Sequence, residues 1–183
     1  VSLLYMLART SDTIADSEQG DASDLLLALE SYNDFSQGKT SSLLDISSLA
    51  ESQRNKSEAS LLRNVGKIVS KIADFSESDQ KAIRHCLGTI IGGQILDLQR
   101  FSSDEGTILS LESDEELDDY AYRVAGSVGE FWTRMSLDHI FKLKEENLEV
   151  ELFEKGIRFG KALQMINILR DIPADLSLGR CYI

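Results

Sequence analysis

The sequence predicts an all-α fold. The chain has 183 residues with a single proline and twelve glycines, which leaves long stretches free to be helical. Apolar residues recur at helical spacing along most of the chain. Strand signals are scarce, because there is no sustained alternation of apolar and polar residues and no Asn-Gly or Asp-Gly hairpin turn between β-branched runs.

Periodicity and capping residues together locate the individual helices. Ser76 is followed three residues later by Asp79, and Ser113 is followed by Glu116, a spacing typical of helix N-termini. The serine-rich segment 36–57 is the weakest helical prediction and can equally be mostly loop. We place helices at residues 1–17, 21–35, 41–51, 57–74, 77–102, 112–144 and 148–172. Short polar connectors join them, as in an all-helical domain.

Both ends of the sequence suggest a fragment. There is no initiator Met, and an aspartate motif begins almost at once. A second motif near the end is followed only by residues 176–183. We therefore expect one domain over residues 1–183 that is truncated at both ends and belongs to a longer protein.

Composition excludes several classes of function. The net charge of −12 argues against a nucleic-acid partner, whose binding needs a basic face. An acidic protein still binds a diphosphate if metal ions neutralise both. No run approaches the roughly 18 apolar residues of a membrane span. Cys86 and Cys181 are too few and too far apart for a disulfide framework or a zinc site, and we interpret them as free thiols in a cytoplasmic, reducing compartment.

Two carboxylate pairs, one near each end of the chain, are the most informative feature. Asp12 and Asp16 belong to one apolar helical run, and Asp171 and Asp175 to another. Residues four apart stack about 6 Å from each other on one face of a helix, where two like charges repel. The arrangement suits a cation, and Mg²⁺ is the natural candidate because it takes carboxylate oxygens and keeps substrate phosphates in its shell.

Each pair also has an ordinary interpretation. Acidic pairs at this spacing are common on solvated helix faces, and Pro173 can simply end the last helix. Arg9, Arg170 and Arg180 stand near the pairs. Arginine contacts phosphate through two hydrogen bonds, although salt bridges to the same aspartates explain these residues equally well. Because each pair ends a strongly apolar helix that would otherwise be core, we favour a polar cavity wall.

A patch of small side chains interrupts the predicted helix 112–144. Its members are Ala125, Gly126, Ser127 and Gly129. Each glycine within a helix costs about 1 kcal/mol relative to alanine. Either another helix packs closely there, or the helix kinks and frees space for a bulky apolar ligand. His85 and His139 have no partners at ligand spacing, and the absence of a catalytic triad or a phosphate-binding glycine loop argues against hydrolase, kinase and Rossmann functions.

Three blocks of sequence, in order, resemble the squalene and phytoene synthases, which condense isoprenyl diphosphates head to head. The first block is YMLARTSDTIAD at residues 5–16. The second is YAYRVAGSVG at residues 120–129, and the third is QMINILRDIPAD at residues 164–175, followed by Gly179 and Arg180. The resemblance implies the all-α isoprenoid synthase fold, a helical bundle around a central cavity, here without its terminal helices.

The resemblance also implies roles for individual residues. The residues implied to bind metal ions beside the substrate diphosphates are Asp12, Asp16, Asp171 and Asp175, with Gln164 and Asn167 next to them. The residues implied to contact the diphosphates are Tyr5, Arg9, Arg170 and Arg180. Tyr120 matches a tyrosine proposed to assist ionisation or deprotonation in the first half-reaction. The prenyl tunnel would be lined by Val124, Ala125, Gly126, Val128 and Gly129.

The expected activity is a Mg²⁺-dependent condensation of two farnesyl diphosphates to presqualene diphosphate and a C30, squalene-type product. The alternatives are a phytoene synthase acting on geranylgeranyl diphosphate and a catalytically silent helical homologue. NADPH use stays open, as does peripheral membrane contact. Two positions depart from the family: Ala174 replaces a frequent acidic residue, and Arg123 stands where an aromatic residue is frequent.

Overall fold

The structure, a computed structural model, describes residues 1–17, 20–102, 107–143 and 146–183. Over these residues the chain forms nine α-helices and one pair of two-residue strands. The all-α class predicted from the sequence is confirmed. The chain divides into two compact units, Val1–Leu98 and Gln99–Ile183.

Unit 1 contains five short or medium helices and most of a long one. They are α1 (Ser2–Ala15), α2 (Ala22–Gln37), α3 (Ser47–Ser52), α4 (Lys56–Arg63), α5 (Val65–Ser70) and α6 (Glu77–Arg100), with a 3-10 turn at Lys71–Asp74. The predicted helix 41–51 is wrong over its first half, because the backbone of residues 41–46 forms hydrogen bonds outside a helix. The Leu44 N–H donates to the Ser31 hydroxyl at 2.8 Å, and the Asp45 carboxylate accepts from the Ser47 N–H at 2.9 Å.

The predicted helix 57–74 is interrupted at Asn64. This residue ends α4 and precedes α5, with backbone angles outside the helical region. Its side-chain amide donates to the Ser60 carbonyl at 2.8 Å. Asparagine competes for backbone hydrogen bonds in this way, which explains why one apolar run gives two short helices.

One face of α1 is buried even where its side chains are polar. Thr10, Ser11 and Thr13 each donate a hydroxyl hydrogen bond of 2.8 Å to a carbonyl about one turn earlier in the same helix. The buried Tyr32 of α2 donates its hydroxyl to the Leu7 carbonyl at 2.9 Å. Burial raises the pKa of Tyr32 strongly, so this hydroxyl stays a donor. The buried polar groups are thus satisfied, and the opposite face of α1 is turned outward.

Unit 2 is built around two long helical segments. Its elements are β1 (Leu109–Ser110), α7 (Asp114–Ala121), a π-helical segment (Tyr122–Gly126), α8 (Ser127–His139), α9 (Glu146–Ser177) and β2 (Arg180–Cys181). β1 and β2 pair in parallel, with Leu109 opposite Arg180. The predicted helix 112–144 is therefore divided by the π-helical segment and ends at His139, while its predicted last residue lies outside the described residues.

Glycines bring the backbones of α8 and α9 into contact. A Cβ atom added at Gly129 would lie 1.9 Å from the Gly156 carbonyl oxygen, and one at Gly160 would lie 2.2 Å from the Ala125 carbonyl oxygen. The first explanation for the small-residue patch is confirmed, since a second helix packs closely against it. The helix also changes its winding at residues 122–126, while the space for a bulky apolar ligand stays a prediction. Segments of π-helix are rare and occur frequently at functional sites.

Pro173 does not end the last helix. The prediction of an end at residue 172 is wrong, because α9 continues to Ser177 with Pro173 inside it. A proline removes one hydrogen bond without preventing the next turn when surrounding contacts hold the helix. The helix stops near Gly179, whose φ of 76° is left-handed and whose added Cβ would lie 2.8 Å from the Thr107 carbonyl oxygen. Asp171 and Asp175 therefore both belong to α9.

The helix contact predicts opposite effects for two glycine-to-alanine substitutions. Gly129→Ala should lower the free energy of unfolding by about 3 kcal/mol, because the backbones of α8 and α9 must separate to admit the methyl group. Gly66→Ala in α5 is the matched control. No atom lies within 4 Å of its added Cβ, so we expect a gain of up to about 1 kcal/mol. Urea unfolding measures both, and a neutral Gly129→Ala would contradict the close contact.

Candidate functional site

The four candidate site residues of the first sequence block lie along the outward face of α1, the last of them at its C-terminal end. Tyr5, Arg9, Asp12 and Asp16 follow one another at helical spacing on this face. Tyr5 is 70% exposed. Arg9 makes an ion pair with Glu58 of α4, and its Nη1 lies 3.9 Å from Asp12 Oδ2. The guanidinium group thus lies between two carboxylates.

Asp12 lies in an environment that disfavours its charged form. Gln94 of α6 donates a hydrogen bond from Nε2 to Asp12 Oδ1 at 2.5 Å. Burial, assisted by the charge of Asp16, outweighs this bond and the nearby Arg9 and raises the pKa of Asp12 to about 6. The positive charge near Asp12 and Asp16 is therefore insufficient to offset their two negative charges, and an added cation would stabilise the charged form of Asp12.

Asp16 is the residue at which α1 ends. Its backbone N–H donates to the Asp12 carbonyl at 2.8 Å, and its side chain is exposed. The predicted helix 1–17 is therefore slightly too long, although the turn containing both aspartates is formed. Both carboxylates belong to the same end of α1, which is the geometry that the D-x-x-x-D spacing predicts.

Unit 2 contains a large groove between α8 and α9, with a cavity volume of about 780 Å³. Of the residues expected to line a prenyl tunnel, four line this groove, namely Val124, Ala125, Val128 and Gly129. Gly126 does not. It is buried, and its added Cβ would lie within 3.4 Å of side-chain atoms of Tyr122, Ile157 and Lys161. The aromatic side chains of Trp132, Phe141 and Phe159 complete the largely apolar wall.

The groove has a polar end on α9. Gln164 and Asn167 both line it, and Asn167 Nδ2 lies 3.4 Å from Gln164 Oε1. Asp171 follows one turn after Asn167, and Asp175 follows one turn later on the same face of the helix. An apolar groove therefore leads toward a row of amide and carboxylate groups.

The two aspartates of α9 have different surroundings. Asp171 accepts two hydrogen bonds from Arg170, at 2.7 and 2.6 Å, which lower its pKa. Arg170 thus forms the salt bridge that was the ordinary interpretation of its position. Burial raises the pKa of Asp175, with Arg180 opposing the shift and Asp171 adding to it. Arg180 lies in β2, beside Asp175 in a small cavity of about 110 Å³.

Tyr120 lies in the last turn of α7, two residues before the first residue of the π-helical segment. Its ring stacks on that of the buried Tyr182, with centroids 4.9 Å apart and planes at 21°. Tyr182 in turn contacts Phe101 edge to face at 5.1 Å. Tyr120 is outside the residues that line the large groove, and the stack holds its ring in one orientation.

Three contacts of the candidate residues were not predicted from the sequence. They involve Glu58 at Arg9, Gln94 at Asp12 and Tyr182 at Tyr120. Gln94 carried the clearest available signal, because it is polar and follows Gly92 and Gly93 in an otherwise apolar stretch of α6. Glu58 and Tyr182 have no comparable local signal.

The donor set fits a small divalent cation. Each motif supplies two carboxylates, which are hard oxygen ligands of the kind that Mg²⁺ takes when phosphates and waters complete its shell. Within the described residues there is no cluster of three or more His, Cys, Asp or Glu side chains placed to hold a metal ion.

In the described part of the chain, no helix is long and apolar enough to span a bilayer.

Comparison with known proteins identifies the family. A family model described as squalene/phytoene synthase matches residues 1–183. The chain belongs to the squalene/phytoene synthase family. Membership of this family, together with the helices described above, confirms the isoprenoid synthase fold predicted from the sequence. The central cavity and the single domain over residues 1–183 stay predictions.

The chain is also similar to several fungal proteins named bifunctional lycopene cyclase/phytoene synthase. The protein of Blakeslea trispora is 27% identical across the whole chain, which covers 28% of that protein. Those of Gibberella fujikuroi and Neurospora crassa are 38% and 37% identical over 73 residues, or 40% of the chain. These matches cover 13% and 12% of the two proteins, so the chain spans well under half the length of these family members.

The raised pKa of Asp12 predicts a pH-dependent effect of Asp12→Asn on stability. Because the folded-state pKa is about 6, above the unfolded value, charging Asp12 destabilises the folded protein as the pH rises from about 4 through 6. Without divalent cations, Asp12→Asn should therefore stabilise the protein at pH 8 and have little effect at pH 4. The side chain is 40% exposed, and after discounting for solvent screening we expect about 1 kcal/mol.

Urea unfolding in EDTA at both pH values measures this effect. Asp34→Asn is a suitable control, because Asp34 is a carboxylate of the same unit that has a cation, Lys39, at 2.9 Å, whereas Arg9 lies 3.9 Å from Asp12. It should not stabilise the protein at either pH. Equal effects of Asp12→Asn at pH 4 and pH 8 would contradict the burial of this carboxylate.

Proposed function

We propose that this chain carries the substrate site of a phytoene synthase-type prenyltransferase, which condenses two geranylgeranyl diphosphates head to head. The observation that carries the proposal is the groove of unit 2, which is apolar along α8 and α9 and ends at Gln164 and Asn167, one turn before Asp171. This is the shape and polarity that a prenyl diphosphate requires. Family membership supports the reaction class.

The size of the groove is compatible with a C20 chain. Its lining on α9 extends from Leu152 to Asn167, which is about 22 Å at 1.5 Å per residue. A geranylgeranyl group has sixteen carbons in its main chain, so that even its contour length is roughly 22 Å at about 1.5 Å per bond. The relatives named above are phytoene synthases, which favours geranylgeranyl over farnesyl diphosphate.

Charge compensation is the central requirement of this site. A diphosphate cannot approach Asp12 and Asp16, or Asp171 and Asp175, without cations between them, and the chain as a whole carries a net charge of −12. Bound Mg²⁺ supplies the positive charge that stabilises the departing diphosphate. The carboxylates of each motif would hold metal ions within their own unit, and Arg9 beside the first motif and Arg170 beside the second would add hydrogen bonds to phosphate oxygens.

The groove walls must also exclude water after the diphosphate leaves. The allylic cation that results is quenched by water unless the site excludes it. Val124, Val128, Trp132 and Phe159 offer apolar surface for this purpose. The double bond of the second prenyl group then attacks the cation, which moves the positive charge onto the second group, and loss of a proton closes the ring of a cyclopropylcarbinyl diphosphate. Tyr120, whose ring stacks on that of Tyr182, would assist ionisation or accept this proton.

Product analysis of the complete parent protein tests the proposal. The protein is incubated with Mg²⁺ and either farnesyl or geranylgeranyl diphosphate, with and without NADPH. Phytoene from geranylgeranyl diphosphate is the expected result. A C30 product from farnesyl diphosphate would instead establish the squalene-type reaction, and its identity would show whether NADPH is used. The absence of diphosphate release from either substrate would indicate a silent homologue.

The motif on α9 predicts a specific loss of activity. Asp171→Asn should reduce Mg²⁺-dependent diphosphate release by about 100-fold or more, because one charged ligand at the departing group is lost. The exposed Asp138 of α8 gives the matched control, since Asp138→Asn makes the same chemical change away from the groove. Coupled detection of released diphosphate measures both variants. Full turnover in Asp171→Asn would refute the role of this motif.

Two neighbouring tyrosines allow a matched test of the phenol. Tyr120→Phe should slow formation of the cyclopropylcarbinyl intermediate while leaving substrate affinity nearly unchanged. Tyr122→Phe should have little effect on that step, because the Tyr122 hydroxyl donates to Glu130 at 2.9 Å. Single-turnover kinetics separates the first half-reaction from later steps. Normal single-turnover rates in Tyr120→Phe would show that the ring serves packing alone.

A further inference from the structure

We propose that Gln94 positions the Asp12 carboxylate for cation binding by holding Oδ1, so that Oδ2 is the oxygen that contacts the metal. The inference rests on the proposed function, because it takes Asp12 as a metal ligand. Gln94 lies outside the three sequence blocks that suggested the site, 82 residues from Asp12. It reaches the aspartate because α1 and α6 both belong to unit 1.

The two oxygens of Asp12 have different partners. Oδ1 accepts the 2.5 Å hydrogen bond from Gln94 Nε2. Oδ2 is approached by Arg9 Nη1 at 3.9 Å, which is too long for a direct hydrogen bond. Within the described residues, Oδ2 is therefore the oxygen with capacity for a further strong partner. A carboxylate held in this way binds a metal through one oxygen in a fixed direction.

The orientation of the Gln94 amide is explained by Asp12 and not by its other surroundings. Gln94 Oε1 is buried and has no hydrogen-bond partner. Rotating the amide by 180° would direct an acceptor oxygen at the carboxylate, whereas the observed orientation directs a donor. An unsatisfied buried acceptor is unfavourable for stability. The glutamine therefore contributes to the orientation of Asp12 at the expense of its own hydrogen bonding.

Partners of this kind matter for metal sites. Residues that hydrogen-bond to a metal ligand orient it, and their substitution typically weakens metal affinity or activity by about 10-fold to 100-fold. Gln94→Leu keeps most of the side-chain volume and removes both the donor and the unsatisfied acceptor. We therefore expect weaker cation binding with a melting temperature within about 3 °C of the wild type.

Gln37 offers a matched control in the same unit. Its Nε2 also donates a hydrogen bond from one helix to another, to the Arg84 carbonyl at 2.8 Å. This hydrogen bond joins α2 to α6, whereas that of Gln94 joins α6 to Asp12 of α1. Gln37→Leu should lower the melting temperature without changing cation affinity, which separates a structural glutamine from a positioning one.

Calorimetric titration of the complete parent protein with Mg²⁺ in the presence of inorganic diphosphate provides the test. The dissociation constant for Mg²⁺ should rise by about 10-fold or more in Gln94→Leu and stay unchanged in Gln37→Leu. The Mg²⁺ concentration for half-maximal turnover should rise in parallel. Wild-type affinity in Gln94→Leu, or an equal loss in both variants, overturns the proposal.

The outcomes also separate this inference from the proposed function. A wild-type protein that binds Mg²⁺ but releases no diphosphate from either prenyl substrate refutes the prenyltransferase activity, while the calorimetric comparison still decides the role of Gln94. A wild-type protein that does not bind Mg²⁺ with diphosphate overturns both.

Discussion

The contact between the backbones of α8 and α9 determines the structure of unit 2. Gly129, Gly156 and Gly160 allow an approach that no side chain would permit. The helices meet along this line, and the larger side chains on either side of it form the walls of the groove. The close packing of the two backbones at the glycines therefore also sets the shape of the groove beside them, which the aromatic residues line.

In unit 1, the packing of α1 holds a polar helix face in place. The hydroxyls on the buried side of α1 bond to its own carbonyls, so this helix packs without a fully apolar face. That leaves the other side free for Arg9, Asp12 and their partners. The incomplete charge compensation there is unfavourable for stability, and such features are typical of sites shaped by function.

The sequence predicted the features that depend on local spacing. The helical class, the shared face of Asp12 and Asp16, and the small-residue patch all follow from periodicity and residue size. The errors have tertiary causes. Pro173 was compatible with a helix end, but the contacts of α9 carry the helix past it. The bond from Gln94 to Asp12 joins residues 82 positions apart, and no local pattern encodes it.

The second aspartate of each motif lies at the C-terminal end of its helix. Asp16 caps α1, Asp175 lies in the last turn of α9, and neither last turn contains a basic residue. The aligned peptide dipoles give each of these ends a partial negative charge, which disfavours carboxylates and attracts cations by about 0.3–1 kcal/mol for each charge. The macrodipoles of α1 and α9 therefore favour a positive charge near each of these ends. A cation near either last turn would therefore offset the partial charge of the helix end as well as the charge of the carboxylates.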